Sequence, residues 1–125
     1  MDFIHTEKAP AAVGPYSQAV RAGGMLYASG QIALDPATGK MVGSTVAEQA
    51  EQVLKNIGAL LQAAGLTYDD VVRTMCFITD MDAFGSFNEV YAKYFYGNKP
   101  ARSCVEVSRL PKGALCEVEI TAACR

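Results

Sequence analysis

The segment Pro100-Ala101-Arg102-Ser103-Cys104-Val105-Glu106-Val107 places one arginine at the mouth of an otherwise apolar, β-type run. A guanidinium offers two parallel donors that match the two oxygens of a carboxylate, so Arg102 is a candidate receptor for a carboxylate. A lone arginine at a strand edge is common. Its weight here comes from company: Gly14-Pro15-Tyr16-Ser17-Gln18-Ala19, Ser29-Gly30-Gln31-Ile32, and Leu110-Pro111-Lys112-Gly113 followed by Val118-Glu119-Ile120.

The chemistry open to these residues is narrow. The single histidine, His5, lies near the N-terminus and reads as a surface side chain, so there is no Ser/His/Asp arrangement. No Gly-x-Gly-x-x-Gly or P-loop is present, and Gly23-Gly24 reads as a turn. The four cysteines, at 76, 104, 116 and 124, show no Cys-x-x-Cys spacing, so no metal site is expected. Cys76, Cys104 and Cys116 sit in apolar runs, where a reduced thiol acts as a small hydrophobe. Catalysis must then use carboxylates, an arginine, a tyrosine, backbone groups and water, without a cofactor. That points to an intrinsically easy step, such as hydrolysis of an activated C=N bond or a rearrangement helped by electrostatics.

These residues need elements to position them. The 125 residues fit one domain, and the 50% hydrophobic content is enough for one core. A net charge of −2 argues against non-specific nucleic-acid binding. The N-terminal residues form no apolar leader and no window approaches the ~20 apolar residues of a membrane span, so a cytoplasmic, membrane-free protein is expected.

Strands are predicted over residues 2–6, 17–21, 25–29, 71–79, 103–109 and 115–122, with Gly23-Gly24 as a hairpin turn. Thr45-Val46-Ala47-Glu48 has capping-box spacing, and Ala50, Val53, Leu54, Ile57, Leu60, Leu61 and Ala64 form a helical stripe that Gly65 stops. Asp82 is placed to cap a second helix running to about Phe95, whose aromatic side reads as core rather than as a ligand box. The order β-β-β-α-β-α-β-β has too few helices to cover both faces of a sheet, so an α+β layer with both helices on one face is expected. Strand alternation, with the apolar faces set against the helices, puts Arg102, Glu117 and Glu119 together on the helix-free side. It likewise sets Val72, Cys76 and Ile78 on one face of their strand, opposite Val71, Met75 and Phe77. A bare face of mixed apolar and charged residues is a candidate interface between copies.

Taken in order and with their spacing, the four segments resemble the Rid/YjgF family over nearly the whole chain, most closely its reactive-intermediate deaminase A subgroup. The resemblance implies a chorismate-mutase-like single domain with a six-stranded mixed sheet. It implies a last strand inserted beside an earlier one, and a homotrimer with a central barrel and active sites between subunits. It also implies hydrolysis of reactive 2-imino acids and their enamine tautomers, 2-iminobutanoate and 2-iminopropanoate among them, to 2-keto acids and ammonia. Residue by residue, Arg102 matches the arginine that binds the substrate carboxylate, and Glu117 the glutamate that holds a water over the C=N carbon. Cys104 matches a position whose backbone lines the site, Tyr16 a pocket wall, and Gly30 a close approach of backbone to ligand. Ser29 and Asn88 are further picks at the site. The connection at 96–100 is shorter than the loop of some family members, so the resemblance does not fix the pocket rim or the chain-length preference.

Two other classes stand beside the enzyme. One is a non-catalytic regulatory trimer that binds small carboxylates. The other is an RNA-cleaving translation inhibitor, against which stand the missing basic stripe and the absence of a catalytic histidine.

Overall fold

The computed structural model describes all 125 residues, Met1–Arg125. Three N-terminal strands, β1 (Asp2–Ile4), β2 (Ala19–Ala22) and β3 (Met25–Gln31), lead into helix α1 (Val46–Ala63). Strand β4 (Val71–Ile78), helix α2 (Phe84–Tyr94), β5 (Ala101–Glu106) and β6 (Cys116–Ala123) follow. The six strands form one mixed sheet in the order β1-β2-β3-β6-β4-β5, as the α+β expectation requires.

The topology follows from two crossovers. Strands β3 and β4 are both antiparallel to β6, and α1 connects them; β4 and β5 are parallel, and α2 connects them. Both crossovers move the same way along the sheet. The right-handed rule therefore puts both helices on the same face. Strand β6 then fills the gap between β3 and β4.

Helix α1 forms as its sequence dictates. Thr45 Oγ1 accepts from the Glu48 amide at 3.2 Å while Glu48 Oε1 accepts from the Thr45 amide at 3.1 Å. Gly65 ends the helix in a left-handed conformation (φ 76°) that costs a glycine little. Val53, Leu54, Ile57, Leu60 and Leu61 point inward and are fully or almost fully buried, each worth about 1.5–3 kcal/mol relative to exposure. They meet Leu26 and Ala28 of β3, Cys76 and Ile78 of β4, and Cys116, Val118, Ile120 and Ala122 of β6, all buried. No helix is long and apolar enough to cross a membrane.

Four local expectations are corrected. The lead-in to α2 is a 3₁₀ turn at Met81–Ala83, and its cap is Asp80, whose carboxylate accepts from the Asp82 amide at 3.0 Å; Asp82 itself caps nothing. Strand β5 stops at Glu106, before Val107–Arg109. A bulge between Val71 and Arg73 leaves Val72 exposed and turns Val71 inward with Thr74, Cys76 and Ile78. The fourth correction concerns the site. Arg102 is paired with Thr74, and Cys104 with Cys76, so both side chains share the helix face. Glu117 is paired with Phe77, on the opposite face. The rule that apolar residues face the helices fails on this edge strand because α2 covers it with polar and aromatic side chains. Val105, an apolar residue of β5, is left 39% exposed on the open face.

Candidate active site

Two half-sites lie on opposite faces of the sheet. The first is built around Arg102. Its Nη1 donates to Asn88 Oδ1 of α2 at 2.7 Å. The guanidinium carbon sits 4.6 Å from the centroid of Tyr91 and 5.3 Å from that of Phe84. Two rings and an amide thus fix the fork, while donors not used by Asn88 remain for a ligand. Tyr91 is itself held, its hydroxyl 2.8 Å from Thr74 Oγ1 inside the core. The aromatic side of α2 therefore serves two purposes: Phe87 and Phe95 are core, while Phe84 and Tyr91 orient the arginine.

Cys104 is half-buried on the same face as Arg102. Burial pushes its thiol pKa up, and the nearby guanidinium only partly offsets this. Its register partner Cys76, deeper in the core, is pushed up to about 12, again by burial first. Neither is an activated thiolate.

The second half-site is a depression of about 320 Å³ on the other side, lined among others by Tyr16, Gly30, Ile32, Leu34, Lys112 and Glu117. Strand β3 bulges here: Ala28 faces Ile120 and Gln31 faces Val118, so Ser29 and Gly30 together span one residue of β6. The bulge brings Gly30 against Glu117. A β-carbon at Gly30 would run into the Glu117 carboxylate, with Cδ only 2.9 Å away. Glycine is needed at this position for the close approach, not for a special φ.

Glu117 is half-buried, and it forms neither a salt bridge nor a side-chain hydrogen bond within the chain. Burial raises its pKa above the ordinary 4.5, and the charge of Glu119 adds to the effect. A carboxylate raised in this way is suited to accept a proton from water and return it.

Buried amides hold the loops around this depression. Gln18 is 3% exposed; its Nε2 donates to the carbonyls of Thr6, Ala9 and Pro10, and its Oε1 accepts from the Thr6 amide. These bonds tie down the loop that carries Tyr16. Asn56 of α1 donates to the carbonyls of Ile32 and Leu34 at 3.2 and 3.0 Å, fixing the opposite wall. Ser29 does not line the depression: its hydroxyl donates to the Ser17 carbonyl at 2.6 Å and joins β3 to the first loop. Asn88 acts on Arg102 rather than standing beside Glu117.

The structure thus groups Arg102, Cys104 and Asn88 on one face, and Tyr16, Gly30 and Glu117 on the other. Sequence reasoning did not find Phe84, Tyr91, Asn56 or Lys112 as parts of these sites. Gln18 and Lys112 lie within the motif segments, but residue type alone assigns neither a role there. Helical spacing could have linked Phe84, Asn88 and Tyr91, which lie four and three residues apart on α2.

The Gly30 contact gives a test. Gly30→Ala is expected to fold with unchanged or slightly raised thermal stability, since the obstructing atoms are the end of a flexible side chain. Displacing Glu117 should nevertheless lower any activity that depends on it by roughly tenfold or more. Thermal melts and a turnover assay on one preparation check both parts.

Comparison with known proteins gives a consistent set of relatives. A family model described as Endoribonuclease L-PSP matches residues 6–124. A RutC family protein of Pyrococcus horikoshii is 50% identical over 121 residues, covering 97% of this chain and 96% of that one. The Mus musculus protein named 2-iminobutanoate/2-iminopropanoate deaminase is 49% identical over 119 residues, covering 95% of this chain and 88% of its own. Among solved structures, E. coli TdcF with bound serine matches with a TM-score of 0.95 at 41% identity, over 100% of both chains. RidA from an Antarctic Psychrobacter matches with a TM-score of 0.94 at 43% identity, covering 98% of this chain and 99% of that one.

Proposed function

The chain belongs to the Rid/YjgF family, and from that premise we propose that it hydrolyses reactive 2-imino acids to 2-keto acids and ammonia. The observation that carries this reading is the split site. An arginine with its fork pre-set and donors open lies on one sheet face, and an unpaired, half-buried carboxylate beside a close-approach glycine lies on the other. The sheet separates them within one chain. They meet only where the Arg102 face of one copy borders the Glu117 face of another, so the working unit in this reading is a homo-oligomer, a trimer as in the family resemblance.

The chemistry follows from the two halves. The substrate carboxylate docks on Arg102, and its iminium carbon faces a water held by Glu117. Glu117 takes a proton as the water oxygen bonds to carbon, giving a carbinolamine. It returns that proton to nitrogen, the C–N bond breaks as the hydroxyl proton passes through Glu117 to the departing ammonia, and oxygen becomes the keto group. One iminium and one water become one keto acid and one ammonium. The iminium is already electrophilic, so positioning and proton transfer are the main contributions asked of the protein.

The Mus musculus relative's name supports this substrate class, and the serine bound to E. coli TdcF supports recognition of a small carboxylate. The description Endoribonuclease L-PSP attached to the family model suggests RNA cleavage instead. The depression around Glu117 contains no histidine, and its charged residues are one lysine and one glutamate.

The test is a coupled assay. A dehydratase acting on serine or threonine generates the imine, semicarbazide traps it, and the protein competes with trapping. A concentration-dependent fall in semicarbazone is expected. No fall, with a folded oligomer that still binds 2-oxobutanoate, would instead support a carboxylate-binding regulator.

A further inference from the structure

Lys112 is the one non-glycine residue at positive φ, with φ 57° and ψ 25°. The turn enforces this: Pro111 precedes it, Gly113 follows at φ 69°, and the Gly113 and Ala114 amides donate to the Leu110 and Pro111 carbonyls. Left-handed backbone favours glycine or asparagine, and a lysine there has no short polar side chain to bond locally. Its long side chain gains nothing in the turn, so its value lies in where the turn carries it.

It is carried to the rim of the site. Lys112 is the only cationic residue lining the depression that holds Glu117. It also lines a second depression of about 460 Å³ with Thr79, Ser108 and Arg109. The chain's two ion pairs are Lys93–Glu51 and Arg125–Asp70, so the charges of Lys112 and Arg109 are open. Lys112 forms no ion pair with Glu117.

We propose that Lys112, with Arg109 beside it, is a positioning residue that captures the substrate as its anion, the enamine or the imine before its nitrogen takes a proton, at the pocket mouth and passes it to the Arg102–Glu117 site. This rests on the 2-imino acid reading above and adds the means of delivery. The chain carries a net charge of −2, so its overall field repels a carboxylate. An open cationic rim reverses that locally and raises the association rate. Rate of capture matters for a substrate that also decays unaided in water.

The experiment compares wild type, Lys112→Gln, Lys112→Arg, Lys112→Asn and Arg109→Gln at low and high salt, with Lys55→Gln on α1 as an equal charge change away from the site. Imine hydrolysis and the association rate of 2-oxobutanoate, followed by stopped flow, are both read. Lys112→Gln should lower kcat/KM and the association rate roughly three- to tenfold at low salt, with kcat nearly unchanged and the gap closing at high salt. Arg109→Gln should show a smaller loss of the same kind. Lys112→Arg should restore capture. Lys112→Asn should keep or raise the melting temperature yet still lose capture, which a purely structural lysine would not do. Wild-type capture in Lys112→Gln, or a defect unchanged by salt, would overturn the proposal. If wild type binds 2-oxobutanoate but does not hydrolyse imines, the hydrolytic reading fails while the association rates still decide the role of Lys112. If wild type neither binds nor hydrolyses, both fail.

Discussion

Arg102→Ala is expected to reduce imine hydrolysis by at least about a hundredfold in a protein that still folds. The arginine is held by Asn88 and by the rings of Tyr91 and Phe84, and the other guanidinium on that face, Arg21, is bound to the Ala64 carbonyl at the end of α1. In the proposed reaction, its loss leaves the substrate carboxylate without a receptor and the iminium carbon no longer set over the water. Arg102→Lys should recover little of the loss, because an ammonium keeps the charge but not the planar fork. The stability penalty should be modest, since stacking of this kind contributes about 0.5–2 kcal/mol and the side chain is only partly buried. Turnover with circular dichroism and thermal melts on the same sample separates the two effects. A well-folded Arg102→Ala protein with undiminished turnover would remove the carboxylate role.

Glu117→Gln is the second large effect. Glutamine keeps the shape but cannot take a proton from water, so turnover should fall roughly a hundredfold or more. The wild-type rate should decline as acid protonates Glu117, at a pH above the ordinary carboxylate value because burial and Glu119 raise its pKa. The residual rate of Glu117→Gln should lack that acid limb. Stability should move the other way. The folded chain binds this proton more tightly than the unfolded chain does. Glu117 therefore favours folding at pH below its ordinary pKa, and that contribution is lost as pH rises through the raised value. Glu117→Gln is accordingly expected to melt higher than wild type at neutral pH, with the difference shrinking toward acid. A pH–rate profile and melts at neutral and acid pH check both statements. A variant that is both less active and less stable at neutral pH would show that the carboxylate is structural.

How much of this was legible in the sequence depends on how local each signal is. Helix α1 was legible because its cap, its apolar stripe and its glycine stop all lie within a few residues of one another. The Gly23-Gly24 hairpin was legible for the same reason, and both glycines take the positive φ such turns need. The placement of β6 between β3 and β4 is a long-range pairing, and the turn at Leu110–Gly113 read locally suggests a plain hairpin; family resemblance supplied the insertion. The face of Arg102 was misread because alternation was anchored on the valines of β5. On an edge strand the helix above decides which side chains are welcome, and α2 offers Asn88, Phe84 and Tyr91. The bulge at Val72 shifted the alternation of β4 with no glycine or proline to announce it. Asp80 took the capping role from Asp82 because a 3₁₀ turn precedes α2. The candidate site residues were each legible as types, but their division between two faces was not, since it depends on the parallel register of β4 and β5.

The central claim is that the site is assembled between copies, and mixing two inactive proteins tests it most directly. Arg102→Ala and Glu117→Gln subunits would be denatured together in equal amounts and refolded, with mixed assemblies confirmed by native mass spectrometry. In that arrangement each site would draw its arginine from one copy and its glutamate from the next, so about one quarter of sites in a random mixture would regain both. Imine hydrolysis near that fraction of wild type, from parents that are each nearly inactive, is the predicted result. Mixed assemblies that form but recover no activity would contradict the account.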